Sequence, residues 1–350
     1  MRADRGVKAR RARDLTLLAL VGVLLCAALG AGSAVLYERF YGPSAFVLRY
    51  LSMLESGRAA DALALPGVAL DSAQLQAAGL PTTASDALLR RAALGSVHDP
   101  RVVSEHTEGD VTVVDVAFTA RGHEGRVSFR VRPDGWIGIA PAWRFSQSPL
   151  SVIDLKVTGS MVFSVNGFTV DKRQVSIDGI DADPAEPIPM LVFSPGVYAV
   201  TVDSATAHSD GVAVLADAPM HSVSVDVVAE PTETFVAVVQ ERVEEFLDGC
   251  AAQEVLYPTG CPFGYVVNNR VDELPVWSIV EQPQITLVPD GAGWRIPETP
   301  ALAHIDVGVR AISDGSYREV SADVPFLVTG TVDLLADGSA SIRIGGSNAE

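Results

Sequence analysis

The residues best suited to covalent chemistry are two cysteines, Cys250 and Cys261, which lie close together in the C-terminal third of the chain. An even pair of cysteines in an oxidising compartment normally forms a disulfide. Closing a loop of this length is worth about 3 kcal/mol on the chain-entropy model. A redox pair usually has CxxC spacing and a zinc site needs further ligands, so both alternatives fit poorly. We therefore predict a structural disulfide.

The histidines give no pattern for catalysis or metal binding, because none belongs to an HExxH or His-x-His motif. They are scattered along the chain: His98, His106, His123, His208, His221 and His304. A GxSxG nucleophile elbow, a Walker loop and an SxxK motif are also absent from the sequence. We therefore predict a non-catalytic protein without metal or cofactor, although triads built from distant residues escape sequence motifs.

A short acidic stretch is the one candidate for binding a hard cation. Its carboxylates are Asp178, Asp181, Asp183 and Glu186. Closely spaced oxygen ligands can hold calcium outside a cell, but this spacing does not match the twelve-residue calcium loop. Prolines at 184 and 187 favour the alternative, a solvated connection between strands.

Four tryptophans could stack against sugars: Trp136, Trp143, Trp277 and Trp294. Each follows a turn or occupies a strand pattern, which favours packing in a core or at a strand end.

Composition narrows the class of protein that presents these residues. The chain has 350 residues, of which 48% are hydrophobic, so it can bury two or three cores and is not disordered. Its 43 acidic and 26 basic residues give a net charge of -17. An acidic chain of this kind disfavours nucleic acid as a partner.

The N-terminus predicts a membrane anchor. Residues 1–14 form a basic tail with six Lys and Arg, and residues 15–36 contain no charge. As a helix these 22 residues reach about 33 Å, against a hydrocarbon core of about 30 Å, and we predict a transmembrane helix over 15–37. The basic flank places the N-terminus in the cytoplasm and the remainder, with 41 acidic and 20 basic residues, outside. A cleaved signal peptide ending near 31–33 is the rival reading.

Residues 38–148 predict an α+β domain. Apolar positions recur at helical spacing between Phe46 and Leu54 and stop before Gly57. A second short helix is predicted over 85–94. The period then changes to two in stretches such as 114–118 and 127–131, which indicates half-buried antiparallel strands.

Residues 149–230 predict a small β-sandwich, because they show no helical period. Short runs rich in Val and Ile predict strands near 153–157, 161–165, 168–170, 174–177, 190–193, 197–202, 211–215 and 222–228. Asn166 and Gly167 form a strong hairpin signal. This pattern is typical of an immunoglobulin-like sandwich, although the cysteine pair and central tryptophan of antibody domains are missing.

Residues 231–350 repeat the layout of the first domain. An amphipathic helix is predicted over 235–247. Strands are predicted near 277–280, 285–288, 294–296, 303–312, 320–328, 331–335 and 341–344, with Asp-Gly turns between several of them. The predicted fold class is thus multidomain α+β: an anchor, an α+β domain, a sandwich and a second α+β domain.

This order of segments resembles the TcaA-type envelope proteins of Gram-positive bacteria. The resemblance rests on the helix start at 43–46 (Pro-Ser-Ala-Phe), the hairpin at 195–198 (Pro-Gly-Val-Tyr) and the cysteine loop 250–261. The terminal domain is similar to the cone-shaped fold named after nuclear transport factor two. The chain lacks the zinc-ribbon cysteines that precede the anchor in that family. The resemblance implies a wall-facing role in envelope stress or wall-polymer binding, without enzymatic activity.

The predicted function is therefore that of a single-pass, extracytoplasmic, non-catalytic envelope protein that binds a partner protein or a cell-wall polymer. The acidic ectodomain favours a protein over an anionic polymer. The alternative is a small-ligand receptor, because a cone-shaped α+β fold often leaves an apolar pocket between its helix and sheet. The side chains predicted to line that pocket are Phe235, Val239, Phe246, Val307 and Phe326.

Overall fold

The computed structural model describes residues 40–138, 140–335 and 340–348, which form three units distinguished by their sheets. The protein is α+β, with strand predominating over helix. The predicted tail and anchor, residues 1–37, lie outside the described residues. Within the described ranges, no helix has both the length and the apolar character needed to cross a bilayer.

The first unit (residues 40–145) packs one helix on a four-stranded antiparallel sheet. Its helices are α1 (Pro43–Glu55), α2 (Ala59–Leu63), α3 (Ser72–Ala77) and a 3₁₀ turn, Arg91–Ala93. Its strands are β1 (His98–Glu108), β2 (Val111–Ala120), β3 (His123–Ile137) and β4 (Ala140–Phe145), paired in that order. Helix α1 begins at Pro43, whose missing N–H costs nothing there, and buries the predicted stripe from Phe46 to Leu54.

The predicted second helix, 85–94, is wrong. Its backbone is drawn into extended pairing with the middle of the chain, where Ser85 N donates to Pro189 O and Leu191 N donates to Ser85 O, at 2.9 and 2.8 Å. The helix lies earlier instead, as α3. There the Asp71 carboxylate accepts from Gln74 N at 2.8 Å and the Gln74 side chain accepts from Asp71 N at 2.9 Å, forming a capping box.

The middle unit (residues 150–231) consists of short strands in two sheets that share one core. The strands are β5 (Leu150–Thr158), β6 (Val162–Val165), β7 (Phe168–Asp171), β8 (Ile188–Phe193), β9 (Gly196–Thr201), β10 (Ala207–His208), β11 (Val212–Ala216), β12 (Ser222–Val228) and β13 (Glu230–Pro231). One sheet has the order β12-β5-β8, the other β11-β9-β6-β7, and β10 pairs with β13. The β6–β7 turn confirms the hairpin signal, because Asn166 and Gly167 both have positive φ, 50° and 85°.

One predicted strand of the middle unit, 174–177, is wrong. Residues Lys172–Val175 form a helical turn, α4, followed by the 3₁₀ turn Gly179–Asp181. The Asp171 carboxylate caps α4 by accepting from Arg173 N at 3.0 Å, and Ser176 N returns to Lys172 O at 2.9 Å. These local bonds replace the ladder that a strand would need.

The last unit (residues 233–348) again places a helix on an antiparallel sheet. Helix α5 spans Glu233–Ala251, and the strands are β14 (Arg270–Val271), β15 (Val276–Glu281), β16 (Val288–Asp290), β17 (Gly293–Arg310), β18 (Tyr317–Leu334) and β19 (Ala340–Asn348). Strand β17 pairs with β18 and also with β14, β15 and β16. The predicted strand 285–288 is wrong over most of its length, because Ile285 N donates to the Gln240 side chain of α5 at 2.9 Å instead of to a strand.

The cores of the units are joined unequally. Most buried residues of the middle and last units form one continuous cluster, which runs through Ala229, Phe235 and Trp294. Three residues of the first unit also belong to it: Ala87, Leu88 and Ala93. The core of the first unit is a separate cluster, to which the middle unit contributes Leu150, Phe193 and Val197.

Candidate functional site

The acidic loop, residues 176–187, connects α4 to β8 in the middle unit and is held by hydrogen bonds within the loop. Asp181 N donates to Asp178 O at 3.1 Å, and Ala185 N donates to the Asp183 carboxylate at 2.8 Å. The side chain of Ala182 is buried beneath the loop. The loop therefore has a defined internal structure.

The side chain of Lys172 is buried and binds the backbone of this loop. Only 4% of the residue is exposed, and its Nζ donates to the backbone carbonyls of Asp183, Pro184 and Glu186. Three acceptors match the three N–H donors of an ammonium group. Burial lowers the pKa of Lys172, while the nearby Asp183 and Glu186 carboxylates oppose that change. The loop is thus clamped by a buried cation instead of by side-chain ion pairing.

The outer side of the acidic loop combines apolar and acidic groups. Ile177 and Ile180 are 78% and 74% exposed, so within the unit these side chains gain little of the free energy that burial of apolar surface provides. All four carboxylate residues of the loop are exposed as well: Asp178, Asp181, Asp183 and Glu186. Exposed isoleucines on a braced loop are typical of a surface that another molecule covers.

For the part of the chain that the structure describes, no group of three or more His, Cys, Asp or Glu side chains is arranged to hold a metal ion.

The five residues predicted to line a ligand pocket lie together in the core of the last unit: Phe235, Val239, Phe246, Val307 and Phe326. Four of them are at most 6% exposed, and Phe246 packs partly buried against the others. The ring of Phe326 lies 5.1 Å from that of Phe263, which itself lies 4.9 Å from that of Trp277. This close packing disfavours a ligand pocket between the helix and the sheet. The ligand pocket therefore stays a prediction.

The predicted disulfide is present. Cys250, at the end of α5, is bonded to Cys261. The bond ties the helix to the segment that carries Phe263 into the core, so its role is structural.

His304 is the centre of a polar cluster on the sheet of the last unit. Its Nδ1 lies 2.6 Å from the Asp323 carboxylate, and its Nε2 lies 3.0 Å from Ser321 Oγ and 3.4 Å from the Asp306 carboxylate. The register explains the contact, because His304 on β17 stands directly opposite Asp323 on β18. The hydrogen bond to Asp323, supported by Asp306, raises the pKa of His304.

The Ser321–His304–Asp323 arrangement has the connectivity of a hydrolytic triad but the wrong surroundings. The Asp323 side chain is 62% exposed and that of Asp306 is 48% exposed, so the cluster lies in water on an open sheet face. A raised pKa favours the imidazolium form, which cannot accept a proton from Ser321. Acyl transfer also needs donors in a water-excluded site. We interpret the cluster as a surface network.

The tryptophans divide into two kinds. Trp277 and Trp294 are 5% and 1% exposed, as core packing predicts. Trp143 is partly buried and its Nε1 donates to Tyr41 O at 2.8 Å. Core packing is the wrong prediction for Trp136, which is 71% exposed at the tip of the β3–β4 hairpin next to Ile137, 76% exposed. Trp136 pairs with Pro141 near the end of the β3–β4 ladder, where its side chain does not reach the core.

Sequence patterns missed Lys172 and the two exposed isoleucines of the acidic loop. The available signal was the scarcity of lysine, since the chain contains only three and one directly precedes the acidic stretch. Burial of a lysine depends on three backbone carbonyls more than ten residues away, which no local pattern reports.

Comparison with known proteins adds no identification: no protein-family model matches the chain, and no curated protein matches it.

Proposed function

We propose that the protein is a membrane-anchored, extracytoplasmic, non-catalytic protein that binds a partner protein through its acidic loop. The observation that carries the proposal is the Lys172 clamp, which presents Ile177 and Ile180 at the surface among four carboxylates. A loop fixed before binding loses less conformational entropy when a partner orders it. The uncharged run 15–36 behind a basic tail supports the anchor and the orientation.

The chemistry of the loop favours a protein that offers both an apolar depression and basic side chains. Isoleucines of this exposure gain most from a concave apolar partner, and the carboxylates steer basic groups towards it. An anionic wall polymer has neither property, and the 41 acidic residues outside the tail oppose its approach unless divalent cations bridge the charges. Polymer binding is therefore the weaker form of the proposal.

The finer fold assignments belong to the same proposal. Two sheets sharing one core support an immunoglobulin-like middle unit, and a long helix lying on a curved antiparallel sheet supports a last unit similar to the nuclear-transport-factor fold. This order, together with the anchor, supports a TcaA-like, wall-facing location in a Gram-positive envelope.

The test is covalent crosslinking of the tagged full-length chain in native membranes, followed by identification of the captured proteins. The double variant Ile177→Ser with Ile180→Ser removes the apolar part of the loop without touching Lys172. Ile312→Ser is the matched control, because Ile312 is 77% exposed in the turn after β17, outside the acidic loop.

A captured protein that the control retains and the double variant loses, and whose capture falls as salt rises, supports the proposal. Capture that is equal in all three chains places the contact elsewhere and overturns the role of the loop. Calcium-dependent sedimentation of the wild-type chain with purified cell wall, lost in the double variant, would replace the protein partner with a polymer.

A further inference from the structure

A second exposed apolar cluster lies in the first unit, where the residues before α1 meet the β3–β4 hairpin. We call it the apolar tip and define it by Phe40, Tyr41, Trp136 and Ile137. Phe40, Trp136 and Ile137 are 63%, 71% and 76% exposed. Phe40, Tyr41 and Ile137 line one groove together with Trp143. The residues before α1 and Ile137 of the β3–β4 hairpin thus share this groove, and the exposed Trp136 precedes Ile137 at the same end of the hairpin.

The β3–β4 hairpin carries Trp136 and Ile137 at its end. Trp136 stands opposite Pro141, and Ile137 opposite Ala140, at the last pairs of the β3–β4 ladder. Trp143 further along β4 fixes the hairpin to the start of α1 through its bond to Tyr41 O. The exposed side chains therefore sit on a ladder that is tied to the helix, not on a free loop.

The position of the apolar tip in the chain indicates which kind of surface it contacts. The uncharged run ends at Leu36, four residues before Phe40. Four residues reach at most about 14 Å, which keeps Phe40 close to the interfacial layer of a bilayer that holds the preceding run. Tryptophan and tyrosine favour that layer, because one end of each side chain is apolar and the other can be hydrated.

The charge distribution agrees with this placement. Residues 38–148 contain 12 acidic and 11 basic residues, whereas residues 149–350 contain 29 acidic and 9 basic residues. A negatively charged membrane surface repels the second part and leaves the first nearly unaffected. Arg49, an exposed residue that lines the groove of the apolar tip, adds a cation where lipid phosphates would lie.

We propose that the apolar tip inserts into the interfacial layer of the membrane and fixes the orientation of the ectodomain, with the first unit against the lipid and the acidic units away from it. The occupant of this surface is the lipid bilayer. The inference rests on the proposed anchor, since the same four residues far from a membrane would gain nothing from it.

The experiment uses the full-length chain in vesicles of phosphatidylcholine and phosphatidylglycerol whose acyl chains carry bromine either near the headgroup or near the bilayer centre. Bromine quenches tryptophan only at short range. All four tryptophans lie after residue 39, and Trp277 and Trp294 are buried in the core. Trp136→Phe removes the reporter while keeping an apolar side chain, and Ile137→Ser weakens insertion while keeping the reporter. Ile312→Ser, in the turn after β17, is the control.

Insertion predicts quenching by bromine near the headgroup that is stronger than quenching from the bilayer centre. Trp136→Phe should lose most of it, Ile137→Ser should lower it, and Ile312→Ser should leave it unchanged. A chain that resists alkaline extraction but shows no quenching, or equal quenching after Trp136→Phe, overturns the inference and leaves the anchor standing. Tryptophan shielded by a second copy or by a partner protein would appear as self-crosslinking or co-purification without quenching, and also overturns it. Extraction of the chain by alkaline carbonate overturns the anchored function together with the inference.

Discussion

The first and last units are built on one plan but are held together differently. Each places a helix on an antiparallel sheet, and each helix buries five residues. In the first unit, Tyr50 of α1 lies 5.9 Å from Phe129 and 5.3 Å from Phe145, ring to ring. The last unit adds a disulfide at the end of its helix and shares its core with the middle unit. The same helix-and-sheet pattern therefore specifies a fold without specifying how that fold is coupled to its neighbours.

The two units also differ at their hairpin tips and in charge. The first ends in Trp136 and Ile137, whereas in the last the turn after β17 is closed by the Asp314 carboxylate, which accepts from Ser316 N and Oγ. Residues 231–350 carry 18 acidic and 6 basic residues, against 12 and 11 in residues 38–148. The two units therefore differ in coupling, in charge and at their hairpin tips, and the following predictions test how each unit is held together.

The largest effect is expected for Trp294→Ala, at the junction of the middle and last units. Trp294 is 1% exposed, and its ring lies 6.3 Å from that of Phe235. Removing it should cost about 3–5 kcal/mol of unfolding free energy because a large buried ring is lost. Calorimetry of the full chain should show one transition for the middle and last units moving to lower temperature, while the transition of the first unit stays in place.

Trp294→Phe is the control for this prediction. The indole Nε1 is buried without a hydrogen-bond partner, so replacing the indole by a phenyl ring removes no hydrogen bond and should cost less than truncation to alanine. Separate transitions for the middle and last units in the alanine variant would contradict their shared core.

Removing the disulfide should have the next largest effect and should act on the last unit. Cys250→Ala together with Cys261→Ala opens a link between residues 11 positions apart and should cost about 3 kcal/mol. Chemical denaturation with and without a reductant measures the difference. The double variant should not respond to the reductant, and a wild-type chain equally stable in both conditions would show that the disulfide contributes no stability.

The sequence predicted what depends on local periodicity and missed what depends on contacts between units. Both amphipathic helices, the Asn166 hairpin and the disulfide follow from residue spacing. The segment 85–94 has a helical pattern, yet Ser85 exchanges backbone hydrogen bonds with Pro189 and Leu191 of β8, far away in the chain. The Lys172 clamp and the exposure of Trp136 are likewise invisible to spacing. Binding surfaces lie on such features, which is why the candidate site was less predictable than the fold.

A smaller effect is expected where the first unit is tied to the middle unit. The hydroxyl of Tyr50 donates to Ser194 O at 2.9 Å, and both residues are fully buried. Tyr50→Phe leaves that carbonyl without this donor and should cost about 1–2 kcal/mol. Tyr198→Phe is the comparison variant: its hydroxyl donates to Phe193 O within the middle unit and also has a backbone hydrogen bond with Gly95. The first variant should lower the transition of the first unit and the second should lower that of the other two.

Alkaline pH should weaken the contact between the first and middle units. Burial raises the pKa of Tyr50 well above its usual value of 10.0. The unfolded chain therefore releases this proton at lower pH than the folded chain does. Stability from neutral Tyr50 is fully present below about pH 10 and is lost as pH rises through the folded-state value. Denaturation at a series of alkaline pH values should show a smaller loss in Tyr50→Phe than in the wild type.

The smallest effect concerns His304, on the water-exposed sheet of the last unit. Its pKa is raised chiefly by the hydrogen bond to Asp323. The stabilisation is therefore fully present below the unfolded-state pKa of about 6.5 and is lost as pH rises through the higher folded-state value. NMR titration should find the pKa of His304 above the ordinary histidine value of about 6.5, and Asp323→Asn should lower it. Serine-reactive phosphonates should leave Ser321 unmodified, because below the pKa of His304 the imidazolium does not activate the hydroxyl, and at every pH the cluster lies on a water-exposed sheet face. Labelling of Ser321 that disappears with His304→Gln would instead make this surface network a catalytic site, and the last unit would then carry the chemistry that the first lacks.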